Sequence, residues 1–109
     1  MAENKDYMTR ELENGSVNIS EDVITTIALA AVRDVEGVVS VHDKKGIRVT
    51  LGEEAVELEC GLVVLYGHSV VEIAKNVQNA VCNAVESMTG LKVTAVDVNV
   101  TGISMGKLG

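Results

Sequence analysis

Phenylalanine and tryptophan are absent from this chain, and Tyr7 and Tyr66 are its only aromatic residues. That removes the stacking platforms on which single-stranded nucleic-acid binders depend and leaves any core to Val, Ala, Ile and Leu. Positive charge is scarce: Lys and Arg total 9 against 16 Asp and Glu, for a net charge of -7. Affinity for phosphate backbones rests on clustered cations, so the balance argues against nucleic acid and against direct binding to anionic lipid. Two cysteines, Cys60 and Cys82, cannot make a disulfide framework. No basic segment followed by an apolar one opens the chain, and the apolar runs at 27–32 and 62–66 are far short of a membrane span. A cytoplasmic setting is expected, with any membrane association passing through a partner.

What is present suits one domain of 109 residues. Residues 1–14 are polar and mixed in charge, and read as a flexible arm. The domain is expected over 15–103, with a flexible tail over 104–109. Val17 and Ile19 alternate with polar neighbours as a short strand, and Ser20 then caps a helix whose first turn holds Glu21 and Asp22. Val23, Ile24, Ile27, Ala28, Ala31, Val32 and Val35 recur at helical spacing, and Gly37 is the expected stop. A β-branched run follows at 38–41, then a polar turn at 42–46.

Ile47, Val49 and Leu51 alternate with Arg48 and Thr50, and a second strand begins at Val56. In the hairpin these form, Leu51 faces Val56, Thr50 faces Glu57 and Arg48 faces Glu59, so Val56, Leu58, Cys60, Leu62 and Val64 point to the core. Ser69 and Glu72 have capping-box spacing. Behind them Val70, Ile73, Ala74, Val77, Ala80, Val81, Ala84, Val85 and Met88 form one stripe, ended by Gly90. The last strand puts Val96, Val98 and Val100 inward and Asp97, Asn99 and Thr101 outward. Val93 is out of phase with them, which a bulge near Ala95 would reconcile.

The order is therefore β-α-β-β-β-α-β, an α+β two-layer fold with both helices on one face of a small, mainly antiparallel sheet. The other face is open. It carries Arg48, Glu57, Glu59, Asp97 and Asn99, with Val63 and Leu65 as an apolar island. That island is either covered by a loop, arm or bend or free as a protein-binding or self-association patch.

Cys60, Cys82, His42 and His68 are the only soft metal ligands of note, and they lack CxxC or HxxxH spacing. Cys60 is expected in the core and Cys82 on the helix flank, so no metal or cofactor is assigned. His68 stands at the mouth of the second helix, where Ser69 already takes the exposed amides, and reads as a loop histidine. No serine, histidine and carboxylate are spaced for catalysis, no glycine cluster forms a phosphate loop, and Lys44 with Lys45 is too small a basic patch. The chain is expected not to be an enzyme.

The segments YGHSVVEIA (66–74), NVQNAV (76–81) and MTGLKVTAVDVNVTG (88–102), with GSVNIS (15–20) and VEGV (35–38), resemble the alkaline shock protein family of bacterial envelope stress response proteins. The resemblance implies a small cytoplasmic protein, mostly of Gram-positive bacteria, acting without known catalysis in cell-envelope homeostasis. It implies protein partners, including an integral membrane anchor, and self-association in some members. Two departures stand out: Val70 occupies a position where the family usually has proline, and 42–46 is short where relatives often carry an insert. The expectation is an interaction or scaffold protein; the alternative is a small nucleic-acid-binding module, which a basic stripe would support and an acidic sheet face would oppose.

Overall fold

The computed structural model describes residues 7–41, 46–53 and 55–106. The elements are β1 (Tyr7–Leu12), β2 (Gly15–Ser20), α1 (Glu21–Arg33), β3 (Val38–Val41), β4 (Ile47–Leu51), β5 (Ala55–Leu65), α2 (Val70–Thr89) and β6 (Lys92–Ser104). The turn expected at 42–46 lies, but for Gly46, outside the described residues, as do His42, Lys44 and Lys45.

β5 is the axis of a four-stranded sheet. One of its edges holds β6 in parallel along its whole length, and the other holds β4 and β3, both antiparallel and placed end to end. The hairpin register follows the sequence expectation at every pair from Leu51↔Val56 to Arg48↔Glu59. The longest ladder is nonetheless the parallel one, because α2 carries the chain back across the sheet before β6 begins. In β6 the bulge expected near Ala95 is present, with Val93 opposite Val56 and Ala95 opposite Glu57; a second follows Val100. The first bulge puts Val93 on the helix side together with Val96, Val98 and Val100 despite their uneven spacing.

Both helices cover that side. Val56, Leu58, Cys60, Leu62 and Val64 are buried beneath Ile24, Ile27, Ala28 and Val32 of α1 and Ile73, Val77, Val81 and Val85 of α2. The small aliphatic set explains the close packing: with no large ring to accommodate, alanine and valine let helix and sheet approach. Ser20 Oγ accepts the Val23 amide at 3.3 Å and Ser69 Oγ accepts that of Glu72 at 3.2 Å, so both caps form. Gly90 adopts φ 75 and returns its N–H to Glu86 O at 2.9 Å, closing α2.

Several expectations are corrected. The arm read over 1–14 is a strand over its second part: β1 pairs with β2 from Tyr7↔Ser20 to Leu12↔Gly15, and Met8 is buried with Ile19. The polar appearance of the segment misled because only one of its side chains needs to reach the core. α1 ends at Arg33 instead of running to Gly37; the next residues tighten into i→i−3 bonds, Asp34 to Ala31 and Val35 to Val32, before Gly37 turns at φ 96. The buried stripes are shorter than expected, for Val23, Val70 and Met88 near the helix ends are exposed. β6 runs on through Ser104, into the expected tail, and Gly106 lies against Leu65.

Candidate functional site: the open sheet face

The pleat sends alternate residues of β4, β5 and β6 to the face away from the helices, and the register aligns them in rows. One row is Arg48, Glu59 and Asp97; its neighbours are Thr50, Glu57 and Ala95 on one side and Gly61 and Asn99 on the other. Glu59 is the hub. Its Oε1 stands 3.9 Å from Arg48 Nη1, and its Oε2 accepts a hydrogen bond from Asn99 Nδ2 at 3.0 Å. Glu57 and Asp97 are exposed beside it. With three carboxylates against one guanidinium, the described part of this face is acidic.

Val63 and Leu65 share the parity but not the exposure. Both are half-buried. Gly102 is the ladder partner of Val63 and adds no side chain beside it, whereas a Cβ on Gly106 would meet Leu65 Cδ1 at 3.4 Å, so the chain just after β6 lies against Leu65. The structure thus brings together Arg48, Glu57, Glu59, Asp97 and Asn99 as one exposed surface and sets Val63 and Leu65 at its partly covered margin.

The remaining candidates do not converge. Cys60 is fully buried, and burial, with Glu59 next in the chain, pushes its thiol up to about 11. It is a neutral core thiol, poorly suited to metal binding. Cys82 lies on the flank of α2, where partial burial and Glu86 raise its pKa. His68 sits in the turn before α2, with its ring against Gly37. Among the described residues no three His, Cys, Asp or Glu side chains stand close enough to hold a metal ion, and no helix is long and apolar enough to cross a membrane. Two concavities lined by described residues are open surface grooves: one lies between Glu21 and Ile47, Arg48, Val49 and Thr50, and another at the β1–β2 turn.

Sequence reasoning missed an exposed apolar fringe. Tyr66, Ile103 and Met105 lie where the ends of β5 and β6 meet, joined by the Tyr66 N–H donating to Ser104 O at 2.8 Å. The signal was the length of β6, whose 13 residues outreach the helix above it.

A model of the alkaline shock protein 23 family, described as having a cell envelope-related function, matches residues 9–105. The chain is similar to uncharacterized proteins of Bacillus subtilis and Streptococcus pyogenes. YqhY of Bacillus subtilis (strain 168) is 27% identical over 104 residues, covering 82% of this chain and 77% of that protein. YloU of the same strain is 28% identical over 106 residues, covering 82% and 88%. Spy1535 of Streptococcus pyogenes is 30% identical over 102 residues, covering 82% and 79%. Among solved structures, a substituted MamM superposes with a TM-score of 0.64 at 17% identity, covering 82% of this chain and 91% of that one. The copper form of MamM CTD gives 0.56 at 17% identity, covering 81% and 91%. At that identity the likeness is one of fold.

Proposed function

Because the chain belongs to the alkaline shock protein 23 family, whose function is cell envelope-related, we propose that it is a non-enzymatic interaction or scaffold protein of cell-envelope homeostasis. In this reading it holds a protein partner on the open face of its sheet. The observation that carries it is the exposed row Arg48, Glu59 and Asp97 with Glu57 and Asn99, a flat polar surface fixed by β-pairing and bordered by the half-buried Val63 and Leu65. Flat, held in register by β-pairing and bordered by an open groove, such a surface suits a protein partner better than a small substrate.

The charge selects the chemistry of the partner. Glu57, Glu59 and Asp97 outnumber Arg48, so a basic segment is complementary and a phosphate backbone is repelled. The cytoplasmic flanks of membrane-spanning helices are rich in Lys and Arg. A membrane anchor presenting such a flank would hold the protein at the inner surface of the membrane, which fits the envelope role and the cytoplasmic setting. The acidic face tells against the nucleic-acid alternative.

The test is affinity capture from the envelope fraction of the source cell with the native chain and with Glu57→Lys plus Glu59→Lys. A membrane protein with basic flanks, retained by the native chain and lost by the variant at unchanged thermal stability, supports the reading. Retention of the same proteins by both sinks it.

A further inference from the structure

β6 has β5 on one side and, among the described residues, no strand on the other. A long open edge is a template for pairing, and proteins usually guard it. Here the guard covers only the first half. Glu86 Oε2 accepts the Val93 N–H at 2.9 Å, and Gln78 Nε2 donates to Val96 O at 3.0 Å, both from the flank of α2 that overhangs the edge. Among the described residues, side-chain bonds to this edge stop at Val96. Successive residues of a strand turn their N–H and C=O to opposite edges, so Val98 and Val100 present theirs on the same free side as Val96. The stretch carries no proline, no lysine and no bulge, and lies between the two bulges of β6.

We propose that residues 96–100 pair antiparallel with the same residues of a second copy of this chain, about a two-fold axis through Val98. The sequence VDVNV is its own complement in that register. On the helix side Val98 meets Val98 of the second copy, and Val96 meets Val100. On the open side Asp97 meets Asn99 of the second copy, twice, so each carboxylate faces an amide and the two Asp97 side chains are kept apart. An axis through Asp97 would set carboxylate against carboxylate. Val96 O keeps a second lone pair for the incoming amide while it accepts from Gln78. The contact is isologous and closes at two copies, giving one continuous sheet with all four helices on one side. It does not depend on the sheet face binding a partner, and Glu57 and Glu59 take no part in it.

The test is sedimentation equilibrium of the full chain, native and as Asn99→Asp, Asp97→Asn, and the exchange of both, with thermal melts as the control on folding. Native protein is expected to dimerise. Asn99→Asp, which creates two carboxylate pairs, should weaken dimerisation roughly tenfold, and the exchange variant should recover most of it by restoring each acid–amide pair. In a mixed isotope-labelled sample an intermolecular Hα–Hα contact between Asp97 and Asn99 is expected. A native chain that stays monomeric at millimolar concentration overturns the proposal, as does self-association equally strong in Asn99→Asp or an exchange variant no better than the single one.

Discussion

The guanidinium of Arg10, in β1, rests against Gly90, the left-handed residue that ends α2. Its Nη2, Nε and Cζ atoms stand 3.2, 3.3 and 3.4 Å from the place a Cβ on Gly90 would occupy. α2 has no basic residue in its last turn, so the N-terminal hairpin supplies the cation that its carbonyl end attracts. Arg10→Ala is expected to lower stability by about 0.5–1 kcal/mol at low salt and by less at high salt, read from urea melts at two ionic strengths. Gly90→Ala should cost more, about 1–2 kcal/mol, because φ 75 disfavours any side chain and the added methyl crowds the arginine.

The hairpin's hold on the body rests on Met8. It is 3% exposed, whereas Leu12, two pairs along the same face, is 54% exposed. Met8→Ala is expected to cost about 2 kcal/mol or more and Leu12→Ala close to nothing. Equal effects in chemical denaturation would mean that β1 does not pack on the helices.

Among the described glycines, Gly37 makes the tightest approach to a neighbouring side chain, that of Ile73 in α2. At φ 96, a Cβ there would lie 2.7 Å from Ile73 Cδ1 and 3.3 Å from His68 Cδ2, with Ile73 itself buried. Gly37→Ala is therefore expected to destabilise by about 2–3 kcal/mol, combining backbone strain with overpacking. Gly67 also has positive φ, but nothing lies within 4 Å of its Cβ position. Its alanine variant should lose only the backbone part, about 1 kcal/mol, and thermal melts of the pair separate the two contributions.

Cys60 makes stability depend on alkaline pH. Its folded pKa of about 11 lies above the ordinary thiol value of 9.0, so the folded state keeps the proton that the unfolded chain gives up first. The contribution is whole below pH 9.0 and is lost as pH rises towards about 11, amounting to about 2–3 kcal/mol. Cys60→Ala should start lower, through its cavity, and fall less over that window. Parallel pH curves for the two proteins would remove Cys60 as the cause. In the native fold, thiol reagents should reach Cys82 well before Cys60.

Arg48 and Glu59 form an ion pair on the face proposed to bind a partner. At 3.9 Å, with side chains 75% and 46% exposed, the pair lies in water. Arg48→Ala should change the free energy of unfolding by less than about 0.5 kcal/mol. A larger loss would give the row a structural duty.

The core was legible wherever a local period repeats against a single buried face. Val56 to Val64 alternates without a break because β5 is paired on both edges and covered on one side, and Ser20, Ser69 and Gly90 mark helix ends by chemistry that needs no tertiary context. Legibility failed where a neighbour decides. β1 exists because β2 pairs with it and Met8 finds the core, and Tyr7 to Leu12 alone carries no period that says so. The open face was found through strand parity, as register fixes which side chains share it. Cover over Val63 and Leu65 was one of two alternatives that strand parity left open, and that Gly106 lies against Leu65 is beyond the reach of any local pattern.

Val41 lies opposite Leu62 and Ile47 opposite Cys60, so β3 ends and β4 begins two positions apart along one edge of β5. A Cβ on Gly61, between them, would meet Gly46 O at 3.7 Å. The chain thus leaves the sheet and rejoins it at nearly the same point, with its direction unchanged. Any excursion inserted there begins and ends within roughly 7 Å, and doubling its length costs only about 0.6 kcal/mol of closure entropy. That seam can take added sequence without disturbing the strands, and opening the chain there would break no ladder of the sheet.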